Sequence, residues 1–422
     1  MKVVIVGGVA AGMSAASKIK RLDTTVKVTV YEKGDFLSYG ACGLPYYVGG
    51  FNDDYRRMIA RTKEEFEAAG IEINTGHEVT GLNPNNKIIS VIELKTGRVF
   101  EDSYDKLIIA TGAYSVMPPF KGKEKLGVHT LKTMEDGIFL KEYAGSPDIK
   151  NVVIVGGGYI GIECAEAFLN LNKSVRLIEA GDRIMLSFDK EMAEAAHTEL
   201  EKKGVSIHLN EKVKAFTGGN IVEQVETDKG SYKADLVVVA TGIRPATGFL
   251  ENSGVKLAKN GAVIVDREMH TSVKDIYSAG DCAESYNRIT EENMFLALGT
   301  VANECGRIAG ENALGGHVQF DGVLGSAAIK VCDIEMFRTG IGEEEAEKLG
   351  INFKTSIVSA YDHPGYYPGK TEIRIKLIYG AEDKVILGAQ LYGEKGAALR
   401  GDVFDVAVHN KMTTKELGRV DF

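Results

Sequence analysis

At 422 residues, and with ~100–200 residues in a typical domain, the chain has room for two to four domains and is no peptide or disulfide-held mini-scaffold. Its 49 glycines, about 12% where ~7% is usual, stand beside only 8 prolines, which excludes collagen-like and low-complexity classes and leaves particular turns for the glycines to serve. Lys and Arg number 50 and Asp and Glu 59, a net charge of −9 without a like-charge block, which argues against nucleic acid and anionic membranes as partners.

In chain order, Met1-Lys2 and the apolar run Val3 to Ala16 have the outline of a signal peptide, but Gly7, Gly8 and Gly12 interrupt the run and suit a turn instead. The reading is a strand Val3-Val4-Ile5-Val6, a glycine turn, a small-residue helix from Ala10 to Leu22, and a strand from Val26 to Glu32. Ser38 to Gly50 follows, with Cys42 between Ala41 and Gly43, and Pro45 and two tyrosines behind it. Leu107-Ile108-Ile109 is an apolar strand ending in Ala110-Thr111-Gly112. The pattern then repeats: strand Val152 to Val155, a glycine loop, a helix from Tyr159 to Leu171, a strand from Ser174 to Glu179, and a strand at Val237 to Val239 ending in Ala240-Thr241-Gly242. Between them a helix is predicted from Asp189 to Lys203, with Asp189 as N-cap and Gly204 just past its end. Thr271 to Asp281 reads as a strand running into Gly280-Asp281, and an apolar-faced helix opens at Ala302-Asn303. From about Val323 the character changes to strands at Thr355 to Ser359, Thr371 to Tyr379 and Val385 to Leu391, with helices at Glu343 to Leu349 and Ala397 to His409. That is an antiparallel sheet with helices on one face, suited to a structural or subunit-interface role. No run reaches the ~18–20 apolar residues of a membrane span.

Gly156-Gly157-Gly158-Tyr159-Ile160-Gly161 is a full GxGxxG between strand and helix, so a pyrophosphate can meet backbone amides at the helix N-terminus. Glu179, 18 residues after Gly161, is placed to accept from both ribose hydroxyls and favours NADH over NADPH, a preference tempered by Arg176 and Arg183. The first loop, Gly7-Gly8-Val9-Ala10-Ala11-Gly12, lacks the middle glycine but has its own acid, Glu32, 20 residues after Gly12. Cys42, Cys164, Cys282, Cys305 and Cys332 are odd in number and scattered, without CxxC or zinc spacing, which fits a reducing, cytoplasmic compartment and no metal.

These two loops, the two Ala-Thr-Gly segments and Gly280-Asp281 occur in the order found in the FAD-dependent pyridine nucleotide–disulfide oxidoreductases, which the chain resembles along essentially its whole length. The resemblance implies an α/β fold of two Rossmann-like dinucleotide-binding domains, for FAD (1–115 and 246–322) and NAD (116–245), plus a C-terminal α+β dimerisation domain (323–422) and a homodimer. It places Gly7, Gly8, Ala10, Gly12, Glu32, Ala110, Thr111, Gly112, Gly280, Asp281 and Ala302 at FAD. Gly156, Gly158, Tyr159, Ile160, Gly161, Glu163, Glu179 and Gly242 go to the nicotinamide dinucleotide, NADH with NADPH possible, with Tyr159 as an aromatic lid over the flavin and Glu163 at the nicotinamide.

The Cys42 segment resembles that of coenzyme A-disulfide reductases and their NADH oxidase and persulfide-reductase relatives, which work with one cysteine. Position 47, where a dithiol enzyme would carry the second cysteine of a Cys-x4-Cys pair, is Tyr47, so Cys42 must cycle through a mixed disulfide, a persulfide or a sulfenic acid. A helix opening at Cys42 would favour its thiolate. Water-forming oxidases and peroxidases carry a His where this chain has Ala10, which favours disulfide or persulfide chemistry over an NADH oxidase; a non-catalytic flavin and NAD redox sensor is the alternative of another class. Tyr366 and Tyr367 match a Tyr-Tyr-Pro-Gly in which a tyrosine reaches the other subunit's cysteine, with His363 a loop residue. Arg21 and Ser38 match positions near bound coenzyme A, and Lys18 and Arg61 are candidates for further phosphate contacts. The resemblance also leads one to expect a Tyr-Ala-Pro-Pro stretch beyond the segment matching Lys415 to Phe422. The other four cysteines are read as packing residues.

Overall fold

The protein is described by a computed structural model covering residues 1–421; Phe422, the last residue of the expected third domain, lies outside the described residues. Val3 to Val6 is apolar throughout, and a strand of that kind pairs in parallel with both faces covered. Lys2–Val6 accordingly sits at the centre of a five-stranded parallel sheet in the order Ile71–Asn74, Lys27–Tyr31, Lys2–Val6, Lys106–Ile109, Ile276–Ser278. The second unit copies it: Ser206–His208, Ser174–Ile178, Asn151–Val155, Leu236–Val239, Val128–His129, again all parallel.

The fifth strand of each sheet arrives from outside its own run of chain. Ile276–Ser278 returns to the first sheet after the whole second unit, and Val128–His129 precedes the second sheet's own first strand. The chain crosses between the units on two strands, Ala113–Ser115 and Ile243–Pro245, which pair antiparallel. Each unit also carries a three-stranded antiparallel sheet that the sequence reading missed: His77–Asn83, Ile88–Glu93 and Arg98–Ser103 in one, Val213–Thr217, Gln224–Thr227 and Ser231–Lys233 in the other.

Helix Ala10–Leu22 packs against Gly299–Ala313 with backbone nearly touching backbone. A Cβ on Gly306 would lie 2.2 Å from the Ala11 carbonyl oxygen and one on Gly310 2.7 Å from that of Ala15, so the small-residue composition of both helices is a packing requirement. The second helix opens at Gly299, so Ala302 is not its first residue as expected; it lies buried within the first turn, facing Gly280.

The third unit is a five-stranded antiparallel sheet in the order Ala327–Val331, Ile334–Gly340, Ile386–Gly393, Glu372–Gly380, Phe353–Tyr361, with helix Ala397–His409 packed on it through Ala397 and Phe404. Its first two strands were not foreseen. Among the described residues no helix is long and apolar enough to cross a membrane, and no group of three or more His, Cys, Asp or Glu side chains could hold a metal.

The predicted helix at Asp189 exists as Lys190–Lys202, but the Asp189 side chain makes no capping bond. It is drawn instead to Lys376, whose fully buried ammonium meets Asp189 at 2.8 Å, Glu191 at 2.5 Å and Glu343 at 2.8 Å. A buried ammonium is tolerated only when paired and hydrogen-bonded, and a partner from the third unit outcompetes a local cap. Lys376→Met would leave three crowded carboxylates uncompensated at the junction of two units; a loss of about 3–5 kcal/mol is expected, read from the guanidinium unfolding midpoint.

Candidate active site

The two glycine loops share one construction. A Cβ on Gly7 (φ +107) would lie 2.1 Å from the Ala110 carbonyl oxygen, and one on Gly156 (φ +110) 2.4 Å from that of Ala240. The Ala-Thr-Gly segments are therefore the walls against which the loops turn. Gly12 and Gly161 close the turn, with hypothetical Cβ atoms 1.9 Å and 2.0 Å from the carbonyl oxygens of Gly7 and Gly156. Gly158 has nothing within 4 Å, so no protein contact requires it; its bare face is open to a ligand backbone.

The acids at the second-strand ends brace these loops. Glu32 accepts from the Gly8 amide at 2.6 Å and the Gly34 amide at 2.7 Å, and Glu179 accepts from Gly157 and Gly181, both at 2.7 Å. Each carboxylate oxygen thus has one backbone donor and lone-pair capacity left, so a ribose would share the group with the loop. Burial pushes the Glu32 carboxyl up, against the pull of the Gly34 and Gly8 amides. Arg176 lies 4.4 Å over the Tyr232 ring and donates to His208, while Arg183 pairs with Glu344 at 2.5 Å.

Cys42 lies on a 3-10 turn, Ala41–Gly43, leading into a five-residue helix, Leu44–Val48. It is the one exposed cysteine; Cys164, Cys282, Cys305 and Cys332 are buried. The expected depression of its thiol by a helix dipole does not occur. The crowding around it and the Glu163 carboxylate push the Cys42 thiol up, with Asp281 adding to this and Lys132 opposing it. So short a helix offers little dipole to set against them. Glu163 is itself raised to about 7, by burial and then by the Glu166 carboxylate. Tyr46 is pushed up to about 12 by burial, then by Glu163, Glu166 and Cys42, which keeps its phenol protonated beside the thiol.

Lys132 escaped the sequence reading. Its ammonium meets Asp281 at 2.9 Å, just ahead of a Thr133/Asp136 capping box on helix Met134–Gly145. A cation at a helix N-terminus opposes the macrodipole, and that mismatch was the available signal.

The description "Pyridine nucleotide-disulphide oxidoreductase" matches residues 1–301, and the dimerisation domain of the same family matches residues 326–420. The chain belongs to this family. It is 39% identical over 401 residues, 93% of this chain and 87% of the other, to a protein of Pyrococcus horikoshii named NAD(P)H coenzyme A polysulfide/persulfide reductase. It is 33% identical over 424 residues, 100% of this chain and 94% of the other, to an NADH oxidase of Methanocaldococcus jannaschii. The solved structure of an NAD-dependent persulfide reductase from A. fulgidus superimposes with a TM-score of 0.96 at 36% identity, over 100% of this chain and 79% of that one.

As in its family, this oxidoreductase works with FAD and a pyridine nucleotide, and its residues fit the flavin nucleotide. The Thr111 hydroxyl is buried without a partner, Gly112 (φ +66) faces open space, and both adjoin the Gly7 loop. Helix Gly299–Ala313 opens without a side-chain cap, leaving its first amides to be satisfied from outside.

Beside the Gly7 loop lies a cleft of about 720 Å³ lined by Ala10, Arg21, Ser38, Arg61 and Arg307 among others. It brings together Arg21 and Ser38, and it includes Arg61, which lies 4.2 Å over the Phe66 ring. Lys18, by contrast, pairs with Glu311 at 2.8 Å and is absent from the lining. Tyr366 and Tyr367 stand on the exposed turn between Phe353–Tyr361 and Glu372–Gly380, 88% and 64% exposed, and neither is among the groups acting on Cys42.

Above about pH 7 the ionised Glu163 opposes ionisation of Cys42. Glu163→Gln removes that charge, so the pH midpoint for alkylation of Cys42 by iodoacetamide is expected to move down. The same carboxyl keeps its proton to about pH 7 in the folded chain but releases it near 4.5 when unfolded. The native state therefore binds the extra proton, its stability declines as pH rises across that window, and Glu163→Gln should flatten the decline in urea titrations.

Proposed function

We propose that the protein reduces coenzyme A disulfide, or a related low-molecular-weight disulfide or persulfide, with NADH, working as a cytoplasmic homodimer. The observation that carries this reading is a cleft with three arginines, Arg21, Arg61 and Arg307, whose wall includes Ser38 to Gly40, the segment that leads directly into the one exposed cysteine, Cys42. Their cationic edges suit a phosphate-bearing thiol compound, and Ser38 adds a hydroxyl. Ser38 is held in the left-handed region (φ 47), with its amide bonded to the Gly8 carbonyl at 3.0 Å and its own carbonyl to the Ala60 amide at 2.8 Å, so one segment joins the loop, the cleft wall and the approach to Cys42.

The Cys42 thiolate attacks one sulfur of the substrate disulfide, forming a mixed disulfide and releasing the first thiol. Two electrons from NADH then restore the thiolate and release the second thiol. FAD, when bound, supplies the relay between a hydride donor and a disulfide. The protein's part is to hold the components and place protons: the Gly7 and Gly156 loops take the pyrophosphates, Lys132 offsets negative charge near Asp281 and Cys42, and the protonated Tyr46 phenol can donate to a departing thiolate. Tyr366 or Tyr367 would reach Cys42 from the second copy of the chain. NADH is favoured because Glu179 stands at the ribose end while Arg176 and Arg183, which could receive a 2′-phosphate, are engaged with Tyr232, His208 and Glu344.

Cys42→Ser is expected to abolish anaerobic turnover of coenzyme A disulfide while FAD stays bound and NADH still bleaches it. Undiminished turnover would sink the reading, and peroxide-forming oxygen uptake as the sole activity would select an NADH oxidase. Arg61→Ala should raise KM for coenzyme A disulfide by roughly tenfold with kcat little changed, the signature of a binding contact to phosphate, and steady-state kinetics at two ionic strengths checks it.

A further inference from the structure

The segment Ser187-Phe188-Asp189 belongs to the second dinucleotide unit, yet the third unit holds its Ser187 carbonyl, its Asp189 amide and its Asp189 carboxylate. Arg338, on strand Ile334–Gly340, donates through Nη1 to the Ser187 carbonyl, while its Nη2 donates to the Gly340 carbonyl at 2.8 Å and pairs with Glu345 at 3.5 Å. Gln390 Oε1 accepts from the Asp189 amide at 2.9 Å, the Glu343 amide donates to Asp189 at 3.0 Å, and Lys376 pairs with the same carboxylate. Phe188, between them, is 1% exposed. A backbone fixed from both ends presents its one free side-chain donor in a set direction: the Ser187 hydroxyl donates to the Tyr159 phenol oxygen at 3.2 Å. The Tyr159 ring lies 6.5 Å from that of Phe188, tilted against it.

We propose that Ser187 is a positioning residue, a latch through which the third unit, by way of Arg338, holds the Tyr159 ring and so sets how readily NADH enters. The proposal rests on the reading of Tyr159 as the aromatic lid over the flavin. A lid must swing aside to admit the nicotinamide, and the Ser187–Tyr159 bond is broken in doing so. The unit matched as a dimerisation domain thereby acts on the nicotinamide step of its own chain, through a path of three residues and one backbone carbonyl. Phe188 and the Lys376 cluster keep the latch from following the lid.

The test uses FAD-loaded enzyme and two readouts. In stopped flow, the apparent dissociation constant for NADH, from saturation of flavin reduction, is expected to fall roughly two- to tenfold in Ser187→Ala, the worth of one hydrogen bond. Arg338→Met should move it the same way and Arg338→Lys less. In a Tyr159→Phe background, where the phenol is already gone, Ser187→Ala should add nothing. Independently of turnover, the 19F resonance of Tyr159 in enzyme carrying 3-fluorotyrosine, assigned with Tyr159→Phe, should change linewidth in Ser187→Ala as the ring gains a second position. An equal shift from Ser187→Ala in both backgrounds overturns the latch, as does an unchanged Tyr159 linewidth. Tyr159→Ala separates the two ideas: if it leaves NADH affinity unchanged, the lid reading itself falls; if it changes affinity while Ser187→Ala does not, the latch alone falls.

Discussion

The architecture hangs on a contact between two backbones: the first glycine of each loop pressed on the carbonyl of an Ala-Thr-Gly segment. With hypothetical Cβ atoms 2.1 Å and 2.4 Å from those oxygens, neither Gly7 nor Gly156 can carry a side chain, and neither central strand can end elsewhere. The contact brings the first and fourth strands of each sheet to a common carboxyl edge, where the strand order reverses and a crevice must open. Everything that reads as chemistry in the first unit gathers at that edge: Glu32 bracing the loop, the unpartnered Thr111 hydroxyl, and Asp281 at the end of the strand next to Lys106–Ile109.

The electrostatics of the cysteine follow from this gathering more than from any local device. A lone thiol at the start of a helix suggests activation by the dipole, but the helix has one turn and the neighbours include Glu163 and Asp281. Lys132 is the cation that opposes them at the thiol, and it already serves Asp281. A thiol raised in this way is a poor nucleophile until positive charge or a hydrogen bond reaches it, so reactivity at Cys42 is conditional on what occupies the crevice. That suits a site meant to discharge electrons onto a bound disulfide and to stay quiet otherwise.

The sequence shows plainly what is local and periodic. The strand, glycine loop, helix and acid of each unit lie within about thirty-five residues, and helices Ala10–Leu22 and Ala397–His409 end where the pattern says. What escaped was decided over long distances or by weak patterns. Val128–His129 has two residues and no periodicity, and Arg98–Ser103 alternates without an apolar face; neither would be a strand without its neighbours. Asp189 has the ideal type and place for a helix cap and is taken by Lys376 instead. Lys132 became a site residue only when Asp281 folded onto it, and Lys18 lost its phosphate role to Glu311. Glycines could be placed because their demand is on their own backbone, whereas charges could not, because their partners come from distant parts of the chain.

That difference explains why the third unit bears on a site that it does not line in its own chain. Its sheet shares a buried apolar cluster with the second unit through Ile329, Val331 and Met336, and is tied to it by charge as well: Lys376 among Asp189, Glu191 and Glu343, Arg183 with Glu344, Lys330 and the Cys332 amide with Glu166. Apolar contacts alone would let two units slide by small steps, since burial has no direction. Hydrogen-bonded charges fix register, because a displaced partner leaves an uncompensated ion in a dry place. Glu166 lies one helical turn from Glu163 and adds to the rise that burial of Glu163 begins, so a group that anchors the third unit also contributes to the charge beside Cys42. One carboxylate pair on helix Tyr159–Asn170 thus takes part in both domain docking and the environment of the thiol.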